Sequence, residues 1–159
     1  MSSPADELQE CYELYLRGLS EPRTNALRIL VEEALPGAPL TPEEAEAQFG
    51  DHPIGPLLVG SCAVTSQDGC RTFEIEWASY VAYSVTNETY AGPDEYEEFT
   101  GKRFRTYSRS RFRDYLKIGT TTSDKDPGLL THWQILCGYH IIDVVSHDAP
   151  AIRFVGERR

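Results

Sequence analysis

The chain has 159 residues, of which 40% are hydrophobic and 25% are charged, a composition typical of one globular domain with a buried core. Its net charge of −10 and pI near 4.8 disfavour nucleic acid as a partner, because phosphate binding generally needs a positive footprint. No window approaches the roughly 20 apolar residues of a membrane helix, and the N-terminus lacks the pattern of a signal peptide. We therefore expect a cytoplasmic protein without membrane segments.

Helical signals dominate the first 50 residues. Ser3-Pro4 followed by acidic residues is typical of a helix start, and an apolar stripe at helical spacing continues to Leu19. A second helix is predicted over residues 20–34, followed by a stiff connector over residues 36–39. A third, short helix is predicted from Thr41-Pro42 to about Phe49.

After residue 56 the apolar period changes to that of strands. Residues 57–65 are β-compatible, and residues 70–88 give the strongest strand signal in the chain. In this second segment the odd positions are apolar and are predicted to face the core: Phe73, Ile75, Trp77, Val81, Tyr83 and Val85. The even positions include Glu74, Glu76 and Tyr80, which we expect to face water or a partner.

The remaining elements complete an α+β pattern. Residues 92–101 resemble an acidic loop, residues 104–107 a short strand, and residues 109–118 a helix capped by Ser108. A polar, mobile segment is expected over residues 120–128, followed by strands over residues 131–146 and 151–155. The prediction is a mainly antiparallel sheet of about five strands, covered by the N-terminal helices and one short central helix. We expect one domain over residues 1–159, with a helical part (1–50) packed on a sheet part (57–155).

The charges are divided unevenly along the chain. Residues 1–100 hold 19 of the 25 acidic and 4 of the 15 basic residues, whereas residues 101–159 carry a net charge of +5. A basic patch without any acid lies at the start of this second part and contains Arg103, Arg105, Arg109, Arg111 and Arg113. Contact with phosphate or nucleic acid is one interpretation. Pairing with Glu74, Glu76 or the acids of residues 94–98 is favoured, because so acidic a chain needs bases near its acids.

No catalytic, metal or cofactor site is predicted. His132 and His140 share a face if residues 131–146 form one strand, but they would then lie about 26 Å apart, too far to bind one ion unless the strand bends sharply. The chain lacks a nucleophile elbow, and its four cysteines contain no C-x-x-C pair, so structural thiols are favoured.

Five segments of the sequence resemble those of a protein family. They are residues 73–77 (Phe-Glu-Ile-Glu-Trp), 80–85 (Tyr-Val-Ala-Tyr-Ser-Val), 110–115 (Ser-Arg-Phe-Arg-Asp-Tyr), 132–135 (His-Trp-Gln-Ile) and 140–146 (His-Ile-Ile-Asp-Val-Val-Ser). Over about residues 72–150 the chain resembles a family of small bacterial proteins without assigned activity. The resemblance implies an immunity- or antitoxin-like role, and it assigns no site residue.

Two functional hypotheses follow. The first is a non-enzymatic acidic module that binds a basic protein partner, such as a toxin or nuclease, through complementary charge. Its candidate partner-binding residues are Glu74, Glu76, Tyr80, Asp94, Glu95, Glu97 and Glu98. The second is a small hydrolase or ligand-binding enzyme with a cleft near His132 or His140. The sequence does not indicate an oligomeric state.

Overall fold

The chain is built mainly from antiparallel strands. A computed structural model describes residues 2–122 and 129–159, which form ten strands and four short α-helices. The first sheet consists of β1 (Glu13–Ser20), β2 (Leu27–Pro39), β4 (Arg71–Trp77) and β10 (Ala151–Glu157) in this order, with β3 (Cys62–Thr65) paired to the end of β2. The second sheet has the order β5 (Ala82–Asn87), β9 (His140–Ser146), β8 (Thr131–Leu136), β7 (Phe104–Arg109) and β6 (Glu98–Thr100). The predicted α+β class with mainly antiparallel strands is confirmed.

The helices are short and lie outside the two sheets. They are α1 (Pro4–Glu10), α2 (Pro42–Phe49), α3 (Gly55–Leu58) and α4 (Arg111–Gly119), and one turn of 3-10 helix covers Glu88–Tyr90. Capping boxes at Ser3 and Thr41 begin α1 and α2, as the sequence predicts. No helix among the described residues is long and apolar enough to cross a membrane.

The prediction of a helical part over residues 1–50 is wrong for residues 13–39, which form β1 and β2. The apolar spacing is ambiguous here, since Leu27 and Val31 share a face in a helix and also in a strand. In the structure Leu27, Ile29 and Val31 are fully buried in alternation, the pattern of a strand. Residues 36–39, predicted to be a connector, continue β2 and pair with β3.

The prediction of a single sheet of about five strands is also wrong, because each of two predicted strands forms two separate strands in the structure. Residues 70–88 leave the first sheet after Trp77 and enter the second sheet as β5. Residues 131–146 form a hairpin that turns at Cys137, whose N–H donates to the carbonyl of His140 at 2.8 Å. A Cβ at Gly138 would lie 2.8 Å from the Tyr15 ring, so glycine allows this turn to pack on β1.

Smaller differences concern the segment ends. Residues 57 and 58, the start of the strand predicted over 57–65, belong to α3, and that strand begins only at Cys62. The helix α4 is capped by Ser110 rather than Ser108. The strands predicted over residues 104–107 and 151–155 are confirmed within β7 and β10. Within the expected mobile segment over residues 120–128, residues 123–128 lie outside the described ranges.

The two sheets pack face to face around one apolar core. Phe73, Ile75 and Trp77 are buried in it, and the Trp77 ring lies 6.3 Å from the ring of Phe104 across the interface. Val85, predicted to face the core, pairs with the buried Ile142 but is 45% exposed, because it lies on β5 at the edge of the second sheet. The second sheet contributes alternate residues to the core: Phe104, Ile135, Ile142 and Val144. Its other face carries the intervening residues. Gln134 and Asp143 are polar, whereas Val145 is buried in a second, smaller apolar cluster with Leu116 and Leu130.

Candidate functional site

A row of polar side chains crosses the outer face of the second sheet. Arg105 of β7 is paired with Gln134 of β8, which is in turn paired with Asp143 of β9. Ser84 of β5 is paired with Asp143 and extends the row to a fourth strand. The strand alternation that places Ile135, Ile142 and Val144 in the core thus brings together polar residues that are far apart in sequence.

This row forms the floor of an open cavity of about 490 Å³, which we call the sheet pocket. One wall comes from residues 91–99, and α4 covers the neighbouring part of the same face through Phe112 and Leu116. The principal lining residues are Pro93, Asp94, Glu97, Phe99, Arg105, Tyr107, Gln134, Ile141 and Asp143.

Gln134 connects the two charged ends of the floor. Its Oε1 accepts hydrogen bonds from the Tyr107 hydroxyl at 2.8 Å and from Arg105 Nη1 at 3.3 Å. Its Nε2 donates to Asp143 Oδ1 at 2.8 Å. The Arg105 guanidinium also lies over the Phe99 ring, 4.0 Å from its centroid. The positions of Arg105 and Asp143 are therefore fixed before any ligand binds.

Asp143 keeps one oxygen for a ligand. Oδ1 accepts from both Gln134 and His132 Nε2, the latter at 2.9 Å. Within the described residues, Oδ2 has only a long contact of 3.5 Å, to the Ser84 hydroxyl. A carboxylate can accept about four hydrogen bonds, so Oδ2 has acceptor capacity left at the pocket floor.

His132 is buried between two rings, stacked on Tyr107 at 4.3 Å and edge-on to Phe112 at 5.5 Å. Its Nδ1 lies 2.6 Å from Ser110 Oγ, and that oxygen also accepts from the N–H of Arg113 at 3.1 Å, as the N-cap of α4. An ionised carboxylate only accepts hydrogen bonds, so His132 Nε2–H donates to Asp143 Oδ1. Hydrogen bonds therefore link Ser110 at the start of α4, through His132, to Asp143 on β9.

Serine, histidine and aspartate in hydrogen-bonded sequence resemble a hydrolytic triad, but the geometry differs in two respects. Ser110 is 0% exposed and its oxygen caps a helix, so it cannot reach a substrate from this position. The ring nitrogens are also reversed, since a triad histidine uses Nε2 toward serine and Nδ1 toward aspartate. The hydrogen bonds from Ser110 to His132 and from His132 to Asp143 fasten α4 to the sheet and orient Asp143.

The arginines of the basic patch form ion pairs and hydrogen bonds with other residues of the same protein. Arg111 pairs with Asp94, with Nη2 at 3.2 Å from Oδ1, and Arg109 pairs with Glu98 at 2.8 Å. The hydrogen bond from Arg111 holds the pKa of Asp94 below its usual value. These two pairs agree with the interpretation that the patch and the acids of residues 94–98 neutralise one another.

Of the three other arginines of the patch, Arg105 lies in the sheet pocket, and Arg103 and Arg113 have partners elsewhere. Arg103 pairs with Glu13 of β1 at 2.7 Å. Arg113 donates to the backbone carbonyls of Ser108 and Leu130 at 2.8 and 3.4 Å. The basic patch is therefore not a contiguous row of open cations.

The acids predicted to bind a partner fall into two groups. Glu74 and Glu76 lie on the outer face of the first sheet, where Arg28 and Arg153 pair with both of them at 2.9–3.4 Å. Tyr80, predicted to be an exposed aromatic residue, is half-buried against Tyr83 and hydrogen-bonded to Glu21. Among the described residues no salt bridge involves Glu95 or Glu97, although Glu97 Oε1 accepts a hydrogen bond from the Arg111 N–H at 3.1 Å.

Asp143, Gln134 and Tyr107 were not identified as site residues from the sequence. Treating residues 131–146 as one strand puts Asp143 far from His132, whereas the hairpin makes them neighbours. Gly138 between two strand-like segments was the available signal of that turn. His132 and His140 lie at opposite ends of the hairpin, and the described residues contain no cluster of three or more ligands that could hold a metal ion.

No protein-family model, curated protein or solved structure matches this chain.

Proposed function

We propose that this protein is a non-enzymatic, acidic binding module whose sheet pocket receives a cationic side chain of a basic partner protein. The observation that supports this most directly is the presence of two carboxylates, Asp143 and Glu97, that line one open pocket and form no described salt bridge with Lys or Arg. The backbone N–H of Arg111 donates to Glu97 Oε1 at 3.1 Å and leaves its other carboxylate oxygen for a ligand. Ile141 and Pro93 give the pocket apolar surface for the aliphatic stem of Lys or Arg.

Arg105 also lines the pocket, and its positive charge opposes this occupant in part. Gln134 and the Phe99 ring hold its guanidinium in place without neutralising it. The carboxylates of Asp143 and Glu97 outnumber this one guanidinium, so a partner's cation placed at them meets net attractive charge.

The overall charge supports the same class of partner. A net charge of −10 attracts a basic protein over several ångströms and speeds encounter at low salt. An immunity- or inhibitor-type role against a basic toxin or nuclease would use this physics. The resemblance over residues 72–150 agrees with that role.

The test is calorimetric titration of the chain with the product of the adjacent open reading frame at low and physiological salt. We expect Asp143→Asn and Glu97→Gln each to weaken binding by about tenfold, the usual size of a lost charge-assisted contact. Glu46→Gln on α2 is the matched control, because it makes the same change of charge outside the sheet pocket. Absence of binding at low salt, or equal weakening by all three variants, would contradict the proposal.

The alternative, a small hydrolase or ligand-binding enzyme near His132 or His140, has weaker support. Ser110 is buried, and His140 belongs to a different surface depression from the sheet pocket. A hydrolytic role would require Ser110 to leave its cap position on α4.

A further inference from the structure

A second cavity of about 410 Å³ lies where β1, the end of β3, the turn before β9 and the C-terminal residues meet. We call it the seam pocket. Its residues differ in kind from those of the sheet pocket, and they are Tyr15, Arg17, Ser66, Tyr139, His140 and Arg158.

The seam pocket concentrates positive charge in an acidic protein. Arg17 Nε lies 2.6 Å from Glu32, and Arg158 Nη1 lies 3.2 Å from the same carboxylate. Two guanidinium groups thus share one carboxylate. Glu13, beside the turn at Gly138, is already paired with Arg103. One positive charge is left over, and the imidazole of His140 lies in the same pocket.

Glu32 acts as an anchor for the two arginines. Burial raises the pKa of Glu32, but the hydrogen bonds from Arg17 and Arg158 and the charge of Arg17 outweigh it, so the net shift is downward. The carboxylate therefore stays ionised and keeps both guanidinium groups in place at neutral pH. Ser66 is itself held, donating to the carbonyl of Glu33 at 3.2 Å.

The arginines also keep donors for a ligand. A guanidinium has five N–H donors, and the contacts of Arg17 to Glu32 and to Ser66 Oγ at 2.7 Å use only two within the described chain. Arginine forks match the oxygens of phosphate, and their pre-orientation lowers the cost of binding.

Aromatic surface borders these donors. The rings of Tyr15 and Tyr139 are stacked at 5.3 Å, and Tyr139 is 66% exposed. Its outer surface can stack with a planar ring carried by the ligand.

We propose that the seam pocket binds a phosphate group, held by Arg17 and Arg158 with Ser66 and His140 beside them. The phosphate can be free, or it can belong to a compound whose ring stacks on Tyr139. This site is separate from the sheet pocket and does not depend on a basic partner.

The experiment is a titration of the full ¹⁵N-labelled chain followed by NMR at constant ionic strength, with inorganic phosphate, adenosine monophosphate and adenosine as probes. We expect saturable shifts for phosphate, with a dissociation constant on the order of 1 mM, at the amides around the pocket. Tighter binding of the nucleotide would place its ring on Tyr139, and equal binding would show recognition of the phosphate alone. Adenosine binding as tightly as its monophosphate would overturn the proposal.

Arg158→Gln tests the donors while it leaves the Arg17–Glu32 pair intact, and we expect about tenfold weaker phosphate binding. Arg153→Gln is the control, since Arg153 is also an exposed arginine of the C-terminal segment but pairs with Glu74 outside the pocket. If Arg158→Gln does not fold, Arg17→Lys preserves the charge and removes the fork, and several-fold weakening is expected. Shifts that stay linear to about 50 mM phosphate, or equal effects of Arg153→Gln and Arg158→Gln, would refute the site.

Discussion

Replacement of Ser110 by Ala tests whether the hydrogen bonds that link Ser110, His132 and Asp143 stabilise the fold. The Ser110 oxygen serves both the Arg113 N–H and His132 Nδ1. Loss of an N-cap costs about 1 kcal/mol. The buried His132 Nδ1, left without its partner, costs a further 1–3 kcal/mol or so. We expect Ser110→Ala to lower the free energy of unfolding by about 2–4 kcal/mol.

Thr41→Ala is the matched control. Thr41 caps α2 in the same way, accepting from the N–H of Glu44 at 3.2 Å, but its position is exposed and no histidine depends on it. We expect it to cost only about 1 kcal/mol. Urea denaturation followed by circular dichroism measures both values, and equal losses for the two variants would refute the reasoning.

A double-mutant cycle isolates the contact itself. His132→Phe keeps a ring between Tyr107 and Phe112 and removes the nitrogen that Ser110 contacts. We expect a coupling energy of about 1–2 kcal/mol between Ser110→Ala and His132→Phe. A coupling near zero would mean that the 2.6 Å contact contributes nothing to stability.

Two further predictions concern buried groups. Cys62 is the exposed cysteine, whereas burial raises the pKa of the Cys11 and Cys137 thiols to about 12. Native protein should therefore react quickly with Ellman's reagent at one thiol, Cys62→Ser should remove this phase, and a second fast thiol would contradict the burial. For Glu33, the paired hydrogen bonds from Arg71, both at 2.8 Å, outweigh burial and lower its pKa from 4.5. Its contribution to stability is present above that value and is lost as the pH falls through the folded pKa. Glu33→Gln should thus cost roughly 2–4 kcal/mol at neutral pH and progressively less in acid, and a difference that is constant in urea titrations from about pH 7 to 3 would refute this.

Local signals in the sequence predict helix starts better than sheet membership. Ser3 and Thr41 define their helices because capping depends only on residues within one turn. The strand β2 was missed because its sequence also fits a helix, and the buried Glu32 and Glu33 are tolerated only through Arg17, Arg71 and Arg158, which come from distant segments. Local propensity cannot represent such partners.

The candidate site was inaccessible from the sequence for a related reason. Alternation correctly places Glu74 and Glu76 on the face of β4 that points away from the core, but it cannot say which strands are neighbours. The sheet pocket needs three strands in the order β9, β8, β7, and only the hairpin turn at Gly138 brings Asp143 beside Gln134. Once that turn is placed, the antiparallel register aligns the polar row.

The strand topology also explains how an unevenly charged chain becomes locally neutral. The last strand, β10, comes from the basic part of the sequence but lies beside β4 in the first sheet, where Arg153 meets Glu74 and Glu76. Arg158, just beyond it, reaches Glu32, and Arg103 reaches Glu13. These pairs place bases of the second part of the sequence against acids of the first hundred residues, although the protein keeps a net charge of −10. The two pockets differ in the sign of their charge. The sheet pocket is negative at Asp143 and Glu97 and the seam pocket is positive between Arg17 and Arg158, so the two proposed ligands must carry opposite charges.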